Sequence, residues 1–145
     1  ILEKSLGAVA KGGTAPLRNV YKFGEQIDVK GFVFMDSPGF DPCSVTGQIA
    51  SGANLIAFTT GRGSVSGYKP VPGIKIATNS EMYVRMADDM DLDCGDIISE
   101  GVSIEDKGKE LFELMVAVAS GKKTRSEELG FGGVEFVPWQ IGAVM

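Results

Sequence analysis

A parallel α/β fold is predicted for this chain: three layers, with one mostly parallel sheet carrying helices on both faces. Short apolar runs of strand length, at 31–36, 54–60 and 73–79, alternate with stretches whose apolar residues recur at helical spacing. Strands that alternate with helices pair in parallel, because each crossover carries the chain back over a sheet face. All three runs also pass into polar residues at their carboxyl ends, where open α/β sheets bind ligands.

In chain order, Leu2, Leu6 and Val9 fall at helical spacing, and Gly12-Gly13 stops that helix. Residues 14–30 carry Pro16 and Gly24 and read as a connector with one short strand. "GFVFMD" (31–36) is the first regular strand, followed by the turn "SPGF". Asp41-Pro42 then predicts a helix start, with Asp as N-cap and Pro at the first helical position. Val45, Ile49 and Ala53 line one face of that helix. "NLIAFTT" (54–60) and "GIKIATN" (73–79) are buried strands, and Ser80 is the expected cap of "EMYVRMADDMD". "CGDIIS" (94–99) reads as a fourth short strand. Ser103 and Asp106 open an amphipathic helix with Leu111, Leu114, Met115 and Val118 on one stripe, ended by Gly121. Thr124 and Glu127 form a second capping box, closed by Gly130. The tail "VEFVPWQIGAVM" (134–145) is extended and apolar and is expected to pack into the body. No repeat or low-complexity segment interrupts the pattern.

Length and composition bound the function. One domain is expected from 145 residues, and 43% hydrophobic with 23% charged residues is a globular balance. The chain starts at Ile1 as if a helix were already in progress, which predicts a piece of a longer polypeptide. A net charge of −5 argues against nucleic acid, which needs clustered Lys and Arg. The one basic cluster, Lys122, Lys123 and Arg125, lies between two helices and reads as a solvated loop. No apolar run approaches the ~20 residues of a membrane span, so no membrane association is expected. The chain has no His, which removes imidazole zinc sites and Ser-His or Cys-His nucleophiles. Cys43 and Cys94 have no metal-ligand spacing and are expected as free thiols in a cytoplasmic protein.

The polar strand ends are the candidate site. They comprise Asp36 and Ser37, then Thr59, Thr60, Gly61, Arg62, Gly63 and Ser64, then Thr78, Asn79 and Ser80. Ser37 and Ser80 have turn or cap duties of their own. Arg62, held between two glycines, presents a planar fork suited to a carboxylate or phosphate. The candidate substrate-binding residues are therefore Thr59, Thr60, Gly61, Arg62, Gly63, Ser64 and Asn79. "GRGSVSG" misses the dinucleotide spacing by one residue and runs into "YKPVPG", not a helix. The architecture is thus Rossmann-like without the dinucleotide fingerprint. "ASGKKT" follows a helix and lacks the first glycine of a P-loop. Asp89, Asp91, Asp93 and Glu100 follow a calcium-loop count, but Cys94 stands where the turn needs Gly. Lys75 sits mid-strand. A lysine near the core can lose its proton and act as a base, but the preferred reading is an edge strand whose lysine reaches solvent. Asp36 and Lys75 are the candidate catalytic groups.

The segments "EKSLGAVAKGGTAPL", "FMDSPGFDPCSVTGQIASGANLIAFTTGRGS", "IKIATNSEMY", "DMDLDCG", "VASGKKTRSEELGFGG" and "EFVPWQIGAVM" follow one another across the whole chain. Together they closely resemble the C-terminal domain of the altronate and D-galactarate dehydratases. The resemblance implies that 1–145 is one C-terminal domain whose N-terminal β domain and central domain lie elsewhere in the polypeptide. It implies dehydration of a sugar acid to a 2-keto-3-deoxy acid with a divalent metal, iron, manganese or magnesium, in the full-length enzyme. Such chemistry needs a base for the proton beside the carboxylate, stabilisation of an enolate-like charge, and an acid for the departing hydroxyl. The "TTGRGS" loop fits the carboxylate-holding role, while the isolated chain is expected to be inactive. Implied partners are the sugar acid and the remaining domains, and an uncovered apolar face would make a homodimer unsurprising. The large subunit of sulfolactate sulfo-lyase is a relative in which sulfite leaves instead of water. A non-catalytic assembly domain is the reading from another class.

Overall fold

The computed structural model describes residues 1–136. Helix α1 (Leu2–Ala10) precedes β1 (Asn19–Tyr21), β2 (Val33–Met35) and α2 (Asp41–Ala50). There follow β3 (Ile56–Thr60), β4 (Gly73–Ala77), α3 (Ser80–Arg85), β5 (Leu92–Asp93), α4 (Asp96–Ser99), α5 (Ile104–Ala119) and α6 (Arg125–Glu128). The class is α/β, as predicted, and the strand pairings among the described residues are all parallel where a mostly parallel sheet was expected. The described strands nevertheless form two sheets, a pair β1-β2 and a triplet β3-β4-β5.

Strand β4 is central, and its alternating side chains sort the core. On one face, Ile74 and Ile76 meet Val118, with Leu111, Leu114 and Met115 of α5 packed around them. Burying each isoleucine contributes about 2 kcal/mol. The opposite face carries two separate apolar clusters. Val45, Ile56 and Tyr68 form one, with Ile49 and Phe58 against it. Ala77, Met82 and Met90 form the other. The stripe of α1 packs on nothing described: Leu2, Leu6 and Val9 are exposed.

Several local readings need correction. The N-cap of α2 is Phe40, so Asp41 and Pro42 lie inside the first turn, where a missing N–H costs nothing. Asn79, not Ser80, caps α3: its Oδ1 accepts from Met82 N at 3.1 Å, while Ser80 Oγ meets Ser99 Oγ at 3.2 Å. Replacing Asn79 by Ala should cost about 1 kcal/mol in urea unfolding, and Asn79→Asp should recover most of it. The predicted strand 94–99 is instead a helical turn, α4, preceded by the two-residue β5. A short apolar run does not distinguish the two states. Gly95 N donates to Asp93 Oδ1 at 2.8 Å and turns the chain there. Both remaining caps are as read. Ser103 Oγ accepts from Asp106 N at 3.0 Å, and Thr124 with Glu127 makes a reciprocal capping box. Of the apolar tail, residues 137–145 lie outside the described residues.

Candidate functional site

The hydroxyl of Thr60 builds the turn that follows β3. Its Oγ1 accepts from Arg62 N at 3.3 Å and Gly63 N at 3.2 Å. Gly63 has φ +95°, and a Cβ there would collide with Met86 Sδ and lie 3.4 Å from Met82 Sδ, so only glycine fits. Thr78 ties the neighbouring strand end to this one, with its N and Oγ1 both donating to Thr60 O at 3.0 and 3.2 Å. Ser64 accepts from Ser66 N at 3.2 Å and pairs with Ser66 Oγ at 2.8 Å. Thr60, Gly61, Gly63 and Ser64 therefore shape the loop. Groups left facing outward are Thr59, the Asn79 amide nitrogen and Arg62, whose exposed guanidinium has no partner among the described residues.

Asp36 is not part of this crest. It follows β2 in the separate pair, where its N donates to Tyr21 O at 2.9 Å. It lines a cleft of about 590 Å³ together with Met35, Leu55, Ile56 and Ala57. The cleft runs beside the start of β3, whereas the Arg62 loop leaves its end.

Lys75 requires the largest correction. Strand β4 lies between β3 and β5, so it offers no edge from which a lysine could reach solvent. Lys75 is 2% exposed, and its Nζ has no hydrogen-bond partner among the described residues. It shares a face with Gly73 and Ala77 and interrupts the two apolar clusters there. Burial pushes the amine below the ordinary lysine value, outweighing the charges of Asp91, Asp89 and Glu135.

Two further groups on this side escaped the sequence reading. Tyr68 is 5% exposed, and a Cβ on Gly73 would lie 3.6 Å from its ring. Its hydroxyl has no partner in hydrogen-bonding geometry among the described residues. Burial pushes the phenol up; the nearby Ser66 hydroxyl opposes this, and Asp41 and Glu135 add to it. Burial would likewise raise Glu135, but backbone N–H groups, including Val134 at 3.1 Å and Gly67 at 3.5 Å, outweigh that and lower it. The only sequence signal for Tyr68 was its place directly after a Gly/Ser loop. Glu135 contacts that loop from 68 positions away.

The acidic segment is structural. Asp91 accepts from Lys75 N at 2.7 Å and Arg125 N at 2.8 Å. Among the described residues, no three His, Cys, Asp or Glu side chains converge in a way that could hold a metal ion. The donor set for the expected divalent cation is therefore not found there. No described helix is long and apolar enough to cross a membrane. Both cysteines are free thiols. Lys122 and Lys123 are exposed, and Arg125 pairs with Glu128 at 3.1 Å.

Fold and site together define a parallel α/β domain with an exposed arginine past the strand ends, unpaired among the described residues, and a buried amine on β4. Residues 1–144 match the family model for the C-terminal region of D-galactarate/altronate dehydratase, and the chain belongs to that family. It is 39% identical over 131 residues to galactarate dehydratase (L-threo-forming) of Escherichia coli, covering 90% of this chain and 25% of that protein. Altronate dehydratase of Bacillus subtilis is 35% identical over 129 residues, 89% of this chain and 26% of the relative. The beta subunit of (2R)-sulfolactate sulfo-lyase from Chromohalobacter salexigens is 31% identical over 131 residues, 90% and 34%. The chain thus spans about a quarter to a third of the length of these relatives.

Proposed function

We propose that the full-length protein is a hydro-lyase that removes water from a sugar acid of the altronate or galactarate type to give a 2-keto-3-deoxy acid. In this reading the chain supplies the part of the site that grips the substrate carboxylate. The observation that carries it is the Arg62 guanidinium at the ends of β3 and β4, unpaired among the described residues, in a chain of dehydratase lineage. Thr59 and the Asn79 amide add neutral donors, and the turn built by Thr60 and Gly63 sets the direction of Arg62. The divalent metal is proposed to be held by side chains beyond the described residues. The rest of the polypeptide is proposed to complete the site and cover the apolar stripe of α1. Two free cysteines favour a reducing, cytoplasmic setting.

The test is the full-length protein incubated with a panel of hexonates and hexarates, with 2-keto-3-deoxy acid as the readout. A charge-assisted hydrogen bond contributes roughly 1.5–3 kcal/mol. Arg62→Ala should therefore raise KM for the accepted substrate about 10- to 100-fold. No product from any member of the panel would refute the dehydratase reading. Unchanged kinetics in Arg62→Ala would leave the domain an assembly role. The similarity to a sulfo-lyase subunit supports a second reading, sulfite release from sulfolactate, which the same protein tests directly.

A further inference from the structure

Lys75 is a buried side chain on one face of β4, and Tyr68, buried in the loop that also carries Arg62, packs against Gly73 on that face. The loop is anchored at both ends of that face. Gly63 abuts Met82 and Met86 at the Ala77 end, while Tyr68 covers Gly73 at the other. Lys75 stands midway, two residues and so about 6.6 Å along the strand from Gly73. The amine has no hydrogen-bond partner among the described residues and the phenol, with the Ser66 hydroxyl nearby, none in hydrogen-bonding geometry, although buried polar groups are paired in the great majority of cases. A leucine at position 75 would have joined the two apolar clusters, so the lysine forgoes stability at this place.

We propose that Lys75 and Tyr68 are the acid–base pair of this domain: the Lys75 amine takes the proton from the carbon beside the substrate carboxylate, and the Tyr68 hydroxyl protonates the departing hydroxyl. This rests on the dehydratase reading above. Burial shifts the two groups in the directions these roles need. Burial favours the neutral amine over the opposing charges of Asp91, Asp89 and Glu135, and it favours the protonated phenol. The charge of Glu135, whose carboxylate is held by backbone N–H groups, acts on both.

The balance is simple. The C2–H electron pair becomes the new carbon–carbon π bond, and Nζ holds the proton. The C3–O bond breaks, and its oxygen leaves as water with the phenolic proton. Transfer of the proton from Nζ to the phenolate restores both groups, and the enol released becomes the 2-keto acid by giving its O2 proton to solvent and taking one from solvent at C3. The substrate carboxylate is held by Arg62, in the loop that carries Tyr68.

The experiment uses the full-length enzyme and the sugar acid it dehydrates. Lys75→Met should lose about 10³-fold or more in kcat, together with C2-proton exchange in heavy water, and Tyr68→Phe about 10²-fold in kcat. Lys75→Ala should regain turnover with added primary amines, more so the more basic the amine. For the wild type, kcat/KM should rise with pH through a value below that of an ordinary lysine. Stability gives an independent readout. The folded amine titrates below the unfolded value of 10.5, so the unfolded chain binds more protons in that window and wild-type stability rises with pH across it. Lys75→Met should therefore melt higher than wild type at neutral pH, with the gap closing toward pH 10.5. Retention of more than a tenth of wild-type turnover by Lys75→Met or Tyr68→Phe overturns the assignment and leaves the dehydratase reading standing. A wild type that dehydrates no sugar acid removes both.

Discussion

Replacing Lys107 by alanine is expected to lower the stability of the domain by about 3 kcal/mol, near the lower end of the cost of breaking a buried ion pair. Lys107 is 7% exposed, and its Nζ lies 2.7 Å from Asp96 Oδ2 and 2.6 Å from Glu110 Oε2. Its removal strands the Asp96 carboxylate, whose other oxygen is already buried without a partner among the described residues. Glu110 is half exposed and is resolvated at little cost. The melting temperature should fall by roughly 6–12 °C, at 2–4 °C per kcal/mol for a domain of this size. Burial by itself pulls the Lys107 amine down, but hydrogen bonds to Asp96 and Glu110, and their charges, raise it above its unfolded value of 10.5. The folded state therefore holds the proton more tightly, and the contribution is fully present below pH 10.5 and lost as pH rises through the folded value. The difference between wild type and Lys107→Ala should thus stay level from pH 7 to 10 and shrink only above that range. A difference under about 1 kcal/mol at pH 7, the worth of an exposed pair, would contradict this account.

Gly95→Ala is expected to cost a similar amount for a different reason. The φ of Gly95 is −68°, so conformational freedom is not what the position needs. A Cβ there would collide with the backbone N of Ser80 and lie 2.6 Å from the carbonyl carbon of Asn79. Neither atom can swing aside like a side chain, so the turn into α4 must separate from the start of α3. Overpacking costs about 1–3 kcal/mol, and a backbone collision belongs at the upper end. Denaturant unfolding should show the loss, and the accepted substrate should bind more weakly as Asn79 moves. Gly108→Ala is the control, because nothing lies within 4 Å of a Cβ at that point of α5. It should gain up to about 1 kcal/mol from helix propensity. Equal effects at the two positions would show that the close approach to Asn79 and Ser80 is unimportant.

These two positions show what could be read along the chain and what could not. The capping box at Thr124 and the cap at Ser103 were legible because each joins residues three apart. Strands β2, β3 and β4 were legible as apolar runs, and Arg62 as an arginine between glycines. The approach of Gly95 to Ser80 and the pairing of Lys107 with Asp96 were not, since both depend on how β5 and α4 sit beside β4. The same holds for β5 itself, only two residues long, and for the helical turn that replaced the predicted strand at 94–99.

The candidate site divides in the same way. The sequence by itself determined an α/β domain of parallel strands with an arginine at a strand end, because periodicity, caps and glycine spacing act over a few residues. Tertiary structure alone decided that Asp36 follows a strand of a second sheet, that β4 is central and Lys75 therefore buried, and that Glu135 reaches Gly67 from 68 positions away. The physical reason is that lysine is compatible with either place. Its stem tolerates an edge or a core, and only the strand pairing determines whether its amine meets water.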